Sequence, residues 1–335
     1  MPQGATVTLW TDGQHAGAAQ RLLHAMGPAL RLVGVGGPPM AEVADLARAA
    51  GLDPTDDFRS LTRDSPADFL LLMTPQGVRR DEVFASSQRG VRALVWEPLA
   101  LNPDDLPDPR VTTDPRPIPL AGFTRSQGFR SAADPHEVLA PLRLIQFQSF
   151  GRAIDRSLYA RLDDAWRVAL HFLDLPLEVN ARLTGPLASP PDELDGLTGQ
   201  LAVQAITADN CTLALQLSDR AGSPADPGRS LDVIGEGGHL HATDSAYRLH
   251  DKLGLVMDRQ RDAPASDLLS LACDHWKQLL HDRPEAGAGE PRSGGRDPHP
   301  DHDARVLACC LATLLSARTG SSERPDPFLA GRSTR

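Results

Sequence analysis

The chain has 335 residues, 41% of them apolar and 23% charged, with a formal net charge of −10. The length predicts two domains rather than one small core. The acidic balance argues against a nucleic-acid or anionic-membrane partner, and no apolar run approaches the ~20 residues of a bilayer span.

The opening MPQGATVTLW lacks the charged and apolar blocks of a secretory signal, so the expected location is the cytoplasm. Cys211, Cys273, Cys309 and Cys310 form no CxxC pair and read as reduced core thiols. Only two of the 34 basic residues are lysines, Lys252 and Lys277. Any step that needs a titratable amine has these two candidates.

Along residues 1–121, strand and helix signals alternate. ATVTLW (5–10) is β-prone, and residues 13–26 carry Ala16, Ala19, Leu22, Leu23 and Met26 at helical spacing. LRLVGV (30–35) is the next strand and ends in a Gly-Gly-Pro-Pro turn. Residues 40–51 form a helix closed by Gly51. A short helix at 58–63 leads to ADFLLLM (67–73), an unbroken apolar run of the kind expected in a sheet covered on both faces. A helix at 78–89 then leads to VRALVW (91–96). Strands separated by helices of this length predict right-handed crossovers and a doubly wound parallel sheet. Residues 101–121, rich in Pro and Asp, read as a crossover.

Residues 122–320 have a different rhythm. LRLIQFQSF (142–150), LEVNARL (177–183), LAVQAIT (201–207), CTLALQLS (211–218) and SLDVIGEGGHLHAT (230–243) alternate like half-exposed antiparallel strands. Helices are expected at 159–173, 264–281 and 303–318, with a Gly/Pro-rich loop at 286–300 and a tail at 321–335. The fold class is therefore α/β: a doubly wound domain followed by an α+β domain with a large open sheet.

Three stretches, residues 57–101, 231–244 and 304–320, occur in an order that resembles the glucose–fructose oxidoreductase / inositol dehydrogenase (Gfo/Idh/MocA) family. The first ends a strand in Thr-Pro and the next strand near Glu-Pro; the others match a sheet-edge turn and the last helix. The resemblance implies a Rossmann domain for NAD or NADP and a substrate domain whose open sheet forms a homo-oligomer. It also implies a sugar- or polyol-like small-molecule substrate. Fold alone does not settle function.

Against the dinucleotide pattern G-x-G-x-x-G/A, the turn after the first strand reads Thr11-Asp12-Gly13-Gln14-His15-Ala16. The first glycine is replaced, Gly13 and Ala16 are kept, and Asp12 brings a negative charge to the expected pyrophosphate. The turn also reads as a plain strand–helix junction. Gly36 or Gly37 stands where the family carries an acid for the ribose hydroxyls, so NAD is not favoured over NADP. The resemblance places Thr74, Pro75 and Gln76 against the ribose and nicotinamide, with Arg79 in a place where histidine is common.

The family's Glu-Lys-Pro supplies an ammonium beside the reacting oxygen. Here the stretch is Trp96-Glu97-Pro98: aligned on Pro98 it sets the Glu97 carboxylate in the lysine's place, aligned on Glu97 it lacks the lysine, and neither supplies an amine. The family's His-x-x-Asp acid/base motif falls on Asp164 and Arg167, and a literal His171-Phe172-Leu173-Asp174 follows. His171 shares a helical face with Asp164 and reads as a displaced acid/base or as a packed residue. Asp297, His299, Asp301, His302 and Asp303 are dense in metal-ligand types, but in a loop before a helix they also read as N-terminal capping, and no metal is expected. His239 and His241 alternate on one strand face. The expectation is an NAD(P)-dependent oxidoreductase with degraded motifs. The alternative is a non-catalytic binding or regulatory protein on the same scaffold. A hydrolase or lyase using Glu97 as a base rests on that residue alone.

Overall fold

The computed structural model describes residues 4–64, 67–106, 117–132, 136–187, 189–220, 228–260, 267–281 and 301–330. They form two compact units. The first draws on Met1–Leu99, Pro107–Ala121 and Leu268–His299, the second on Ala100–Leu106, Gly122–Asp267 and Pro300–Arg335.

The first unit runs β1 (Ala5–Trp10), α1 (Gly13–Met26), β2 (Leu30–Gly36), α2 (Ala41–Ala49), β3 (Pro54–Thr55), α3 (Phe58–Asp64), β4 (Phe69–Leu72), α4 (Arg80–Gln88), β5 (Arg92–Val95) and β6 (Ile118–Pro119). The strands form one parallel sheet in the order β3-β2-β1-β4-β5-β6. This is the doubly wound order, with its reversal between β1 and β4. All four residues of β4 are buried. Phe69 and Leu71 enter one core cluster, Leu70 and Leu72 the other. An apolar residue at every position is what a strand covered on both faces requires.

The second unit contains α5 (Gln127–Ser131), α6 (His136–Leu139), β7 (Leu142–Phe150), α7 (Leu158–Phe172), β8 (Glu178–Thr184), β9 (Gln200–Ile206), β10 (Thr212–Ser218), β11 (Arg229–Gly235), β12 (Gly238–Thr243), β13 (Tyr247–Asp251) and β14 (Val256–Gln260). After α8 (Leu268–His281), the chain adds α9 (His302–Thr319) and α10 (Asp326–Ala330). The eight strands are ordered β14-β13-β12-β11-β7-β10-β9-β8, and only β7 and β10 pair in parallel. In β9 every second residue (Leu201, Val203, Ala205) is buried, while Gln200, Ala202, Gln204 and Ile206 remain exposed. The sheet thus has one core face and one open face. Strands β13 and β14 have no counterpart among the predicted strands. The expected run 230–243 is a hairpin that turns at Glu236-Gly237.

Three expected boundaries change. Helix α8, placed in the second domain from its position in sequence, packs in the first unit. Its Trp276 is 0% exposed and meets Phe69 edge-on at 5.8 Å, and Arg92 donates to the carbonyl of Leu279 at 3.0 Å. Ala100–Leu106 groups with the second unit, where the Tyr159 hydroxyl donates to the Ala100 carbonyl. The expected tail is anchored at its start: Glu323 and Val179 exchange backbone hydrogen bonds of 2.8 and 2.9 Å, and Phe328 packs against the core. Residues 286–300 and 331–335 lie outside the described residues.

Trp276→Ala is expected to destabilise the first unit by about 3–5 kcal/mol, the usual cost of emptying a buried aromatic site. Urea unfolding followed in that unit measures it.

Candidate functional site

In the first unit the turn between β1 and α1 is where an anion would rest on helix N–H groups. Asp12 is the N-cap of α1, and its Oδ1 accepts from His15 N at 2.8 Å. Ala16 N is already bonded to the Asp12 carbonyl at 3.0 Å, and Gly13 N faces Met40 Sδ at 3.2 Å. A Cβ at Gly13 would lie 3.0 Å from both Met40 Sδ and Glu42 Oε2, so these two side chains cover the turn. Thr11 is buried and continues the ladder, donating to the Gly36 carbonyl at 2.9 Å. The glycines at 36 and 37 serve close backbone approach. A Cβ on Gly37 would fall 1.8 Å from the Thr11 carbonyl oxygen, and one on Gly36 would strike the Trp10 ring. Gln14 is exposed.

His15 is only 5% exposed and bridges two carboxylates. Its Nδ1 is 2.9 Å from Asp12 Oδ1, and its Nε2 is 3.7 Å from Glu97 Oε1, an ion-pair distance beyond hydrogen-bond reach. Burial works against the imidazolium, but the Asp12 and Glu97 carboxylates overcome it and hold the His15 pKa up at about 9. Burial raises the Asp12 pKa, and His15 and Thr74 more than reverse that, leaving it lowered. Glu97 itself is 3% exposed, at the end of β5. Pro98 follows it, half-buried. After Pro75, Gln76 gives its carbonyl to Trp10 Nε1 at 2.8 Å and its N–H to Thr74 Oγ1 at 3.3 Å. Arg79 pairs with Asp81 at 3.3 Å on the surface. Lys277 lies exposed on α8, 3.6 Å from Asp274. The structure therefore gathers Asp12, His15, Thr74 and Glu97 into one buried cluster that holds two carboxylates and one imidazole. A bound NAD or NADP needs donors for its pyrophosphate here. The turn offers its own carboxylate, a thioether and Glu42, which do not fit that group.

In the second unit Asp164, 1% exposed, is fully engaged. Oδ1 accepts from Phe123 N at 2.8 Å, and Oδ2 accepts from Arg229 Nη1 at 2.7 Å with Arg156 Nη1 at 3.6 Å. Arg229 forks onto Asp244 at 2.5 and 3.2 Å and lies over the Phe123 ring at 5.5 Å. Both oxygens of this buried carboxylate are thus committed to donors. Arg167 ties Asp163 (2.7 Å) to Asp303 (2.6 Å), joining α7 to α9. His171 does share the Asp164 face of α7. That face is overlaid by residues 123–131, and His171 meets Phe129 and Phe172 edge-on at 5.1 and 5.0 Å. His171 itself is exposed, in the last turn of α7. Burial and the Arg167 charge push His302 down to about 4, so it is neutral at pH 7. Asp297 and His299 lie outside the described residues, and no group of three metal-ligand side chains converges among those described. His239 and His241 each contact Asp232 at 2.9 Å on the open sheet face.

The sequence reading missed Met40, Glu42, Arg156, Arg229 and Asp244. Asp163 was legible in principle, as the i,i+4 partner of Arg167. Arg229 stands at a strand start without a local signal.

No family model and no curated protein matches the sequence. Solved structures do match over nearly the whole chain. An oxidoreductase from Agrobacterium radiobacter, in complex with NAD+, L-tartaric acid and magnesium, aligns with TM-score 0.65 and 13% identity over 97% of this chain and 99% of its own. The WlbA dehydrogenase from Bordetella pertussis, in complex with NADH and UDP-GlcNAcA, aligns with TM-score 0.63 and 13% identity over 96% and 98%. The UDP-N-acetylglucosamine 3-dehydrogenase GnnA from Acidithiobacillus ferrooxidans aligns with TM-score 0.66 and 12% identity over 94% and 98%. At these identities the likeness establishes the fold: this chain shares the two-unit architecture of NAD-binding oxidoreductases. No helix among the described residues is long and apolar enough to cross a membrane.

Two measurements probe these clusters. A histidine whose folded pKa is raised stabilises fully below its unfolded value near 6.5 and loses that contribution as pH rises through about 9. The gap in thermal midpoint between wild type and His15→Gln is therefore expected to be largest below pH 6.5 and to close above pH 9. Asp164→Ala, which takes one carboxylate from the buried Arg229 and leaves the Phe123 amide without its acceptor, is expected to cost about 3–5 kcal/mol in denaturant unfolding.

Proposed function

We propose that this chain is a non-catalytic binding or regulatory protein on a Gfo/Idh/MocA-type oxidoreductase scaffold. One observation carries the reading: Glu97, which alignment on Pro98 sets in place of the family's lysine, is a buried carboxylate facing His15. An anion there opposes alkoxide development and does nothing to polarise a carbonyl. The second unit supports the same reading, because Asp164 and Arg167 are consumed in ion pairs that hold helices and strands together. The hydrolase or lyase alternative needs an accessible base, and Glu97 is buried.

On this reading the open sheet face, with its uncharged Gln200 and Gln204, provides the surface for a homo-oligomer. The rival is an NAD(P)-dependent sugar or polyol oxidoreductase, favoured by the near-full-length likeness to dehydrogenases solved with NAD+ or NADH.

Absorbance at the nicotinamide band, followed across a panel of sugars, polyols and their oxidised forms with NAD+, NADP+, NADH and NADPH, separates the two. No turnover is expected with any pair. Steady reduction or oxidation of any substrate would establish the rival.

A further inference from the structure

We infer that the first unit is self-ligated: the Asp12 carboxylate, held by the His15 imidazole against Glu97, occupies the anion position at the N-terminus of α1. Met40 Sδ and Glu42 Oε2 stand beside the turn, and with Asp12 they set two carboxylates and a thioether against a dinucleotide pyrophosphate. This deepens the non-catalytic reading and builds on it.

The argument begins with the helix end. An α-helix leaves its first N–H groups unsatisfied, and a phosphate or a capping side chain satisfies them equally well. Both cannot do so at once. Here Asp12 Oδ1 takes His15 N at 2.8 Å, and Met40 Sδ stands 3.2 Å from Gly13 N. The second observation is charge. Asp12, Glu42 and Glu97 bring three carboxylates to the turn, and His15 faces two of them. A pyrophosphate would add negative charge beside an imidazole that already serves both Asp12 and Glu97. The third observation is the unfilled valence inside the cluster. His15 Nε2 is buried with no hydrogen-bond partner and is aimed at Glu97, 3.7 Å away. The ring is thus fixed by Asp12, and its position depends on the same carboxylate that caps the helix.

The inference makes the closure reversible by one side chain. Asp12→Ser keeps a capping oxygen and removes the charge. Asp12→Gly, combined with Glu42→Gln, restores a bare turn. Each is titrated calorimetrically with inorganic pyrophosphate and with NADH, alongside wild type. The His15 ring is followed by NMR as pH is varied, with Asp12, Glu97 and Glu42 the charged groups that face this corner. Wild type is expected to bind neither probe at millimolar concentration. At least one variant should bind pyrophosphate at least about tenfold more tightly, which corresponds to relief of about 1.4 kcal/mol. In Asp12→Ser the His15 titration should move toward ordinary imidazole values, a readout that does not depend on ligand. Sub-millimolar binding of NADH by wild type would overturn the inference, and without turnover it would leave the non-catalytic reading standing. Failure of both folded variants to gain affinity, with His15 titrating unchanged, would also overturn it. Wild-type turnover of a sugar would remove the non-catalytic reading instead.

Discussion

Burying a carboxylate without compensation costs several kcal/mol, and that cost organises the top of the first sheet. Glu97 and Asp12 are both drawn into the protein, and His15 is the cation that makes this possible. From that pairing follow the capped start of α1, the closed glycine turn and the packing of Thr74 against Asp12. Asp12, His15 and Glu97 are held by one another at the ends of β1 and β5.

The second unit repeats the logic with different residues. Arg229 stitches Asp164 on α7 to Asp244 beyond β12, and the Phe123 amide completes the Asp164 shell. Arg167 does the same between α7 and α9. Helix α7 is thereby fixed along its length by buried pairs whose geometry tolerates little change.

Much of the fold was legible from pattern alone. The apolar run of β4, the helical spacing of α1 and the period-two alternation of β9 each report their burial directly, because side-chain direction follows backbone period. The location of α8 was not legible, since its apolar face suits either unit and only Trp276 meeting Phe69 decides. Strand β13 escaped because Tyr-Arg-Leu-His-Asp is short and half charged. At the candidate site, the loss of Gly at Thr11 and of Lys at Glu97 could be read, and His15 was placed at the turn. Its engagement with Glu97 could not be read, because the two residues are joined by the sheet and not by sequence spacing. Gly36 and Gly37 looked like a lost ribose acid; the structure shows them admitting the backbone of Thr11 and the ring of Trp10.

The central claim is that an oxidoreductase architecture survives here with its reacting positions occupied by internal ion pairs. A crystal structure of the wild-type chain grown in millimolar NADH tests it most directly. The account expects Asp12 Oδ1 still on His15 N, His15 between Asp12 and Glu97, and no nucleotide density at the N-terminus of α1. A pyrophosphate resting on the amides of Gly13 to His15, with the Asp12 carboxylate swung aside, would contradict it.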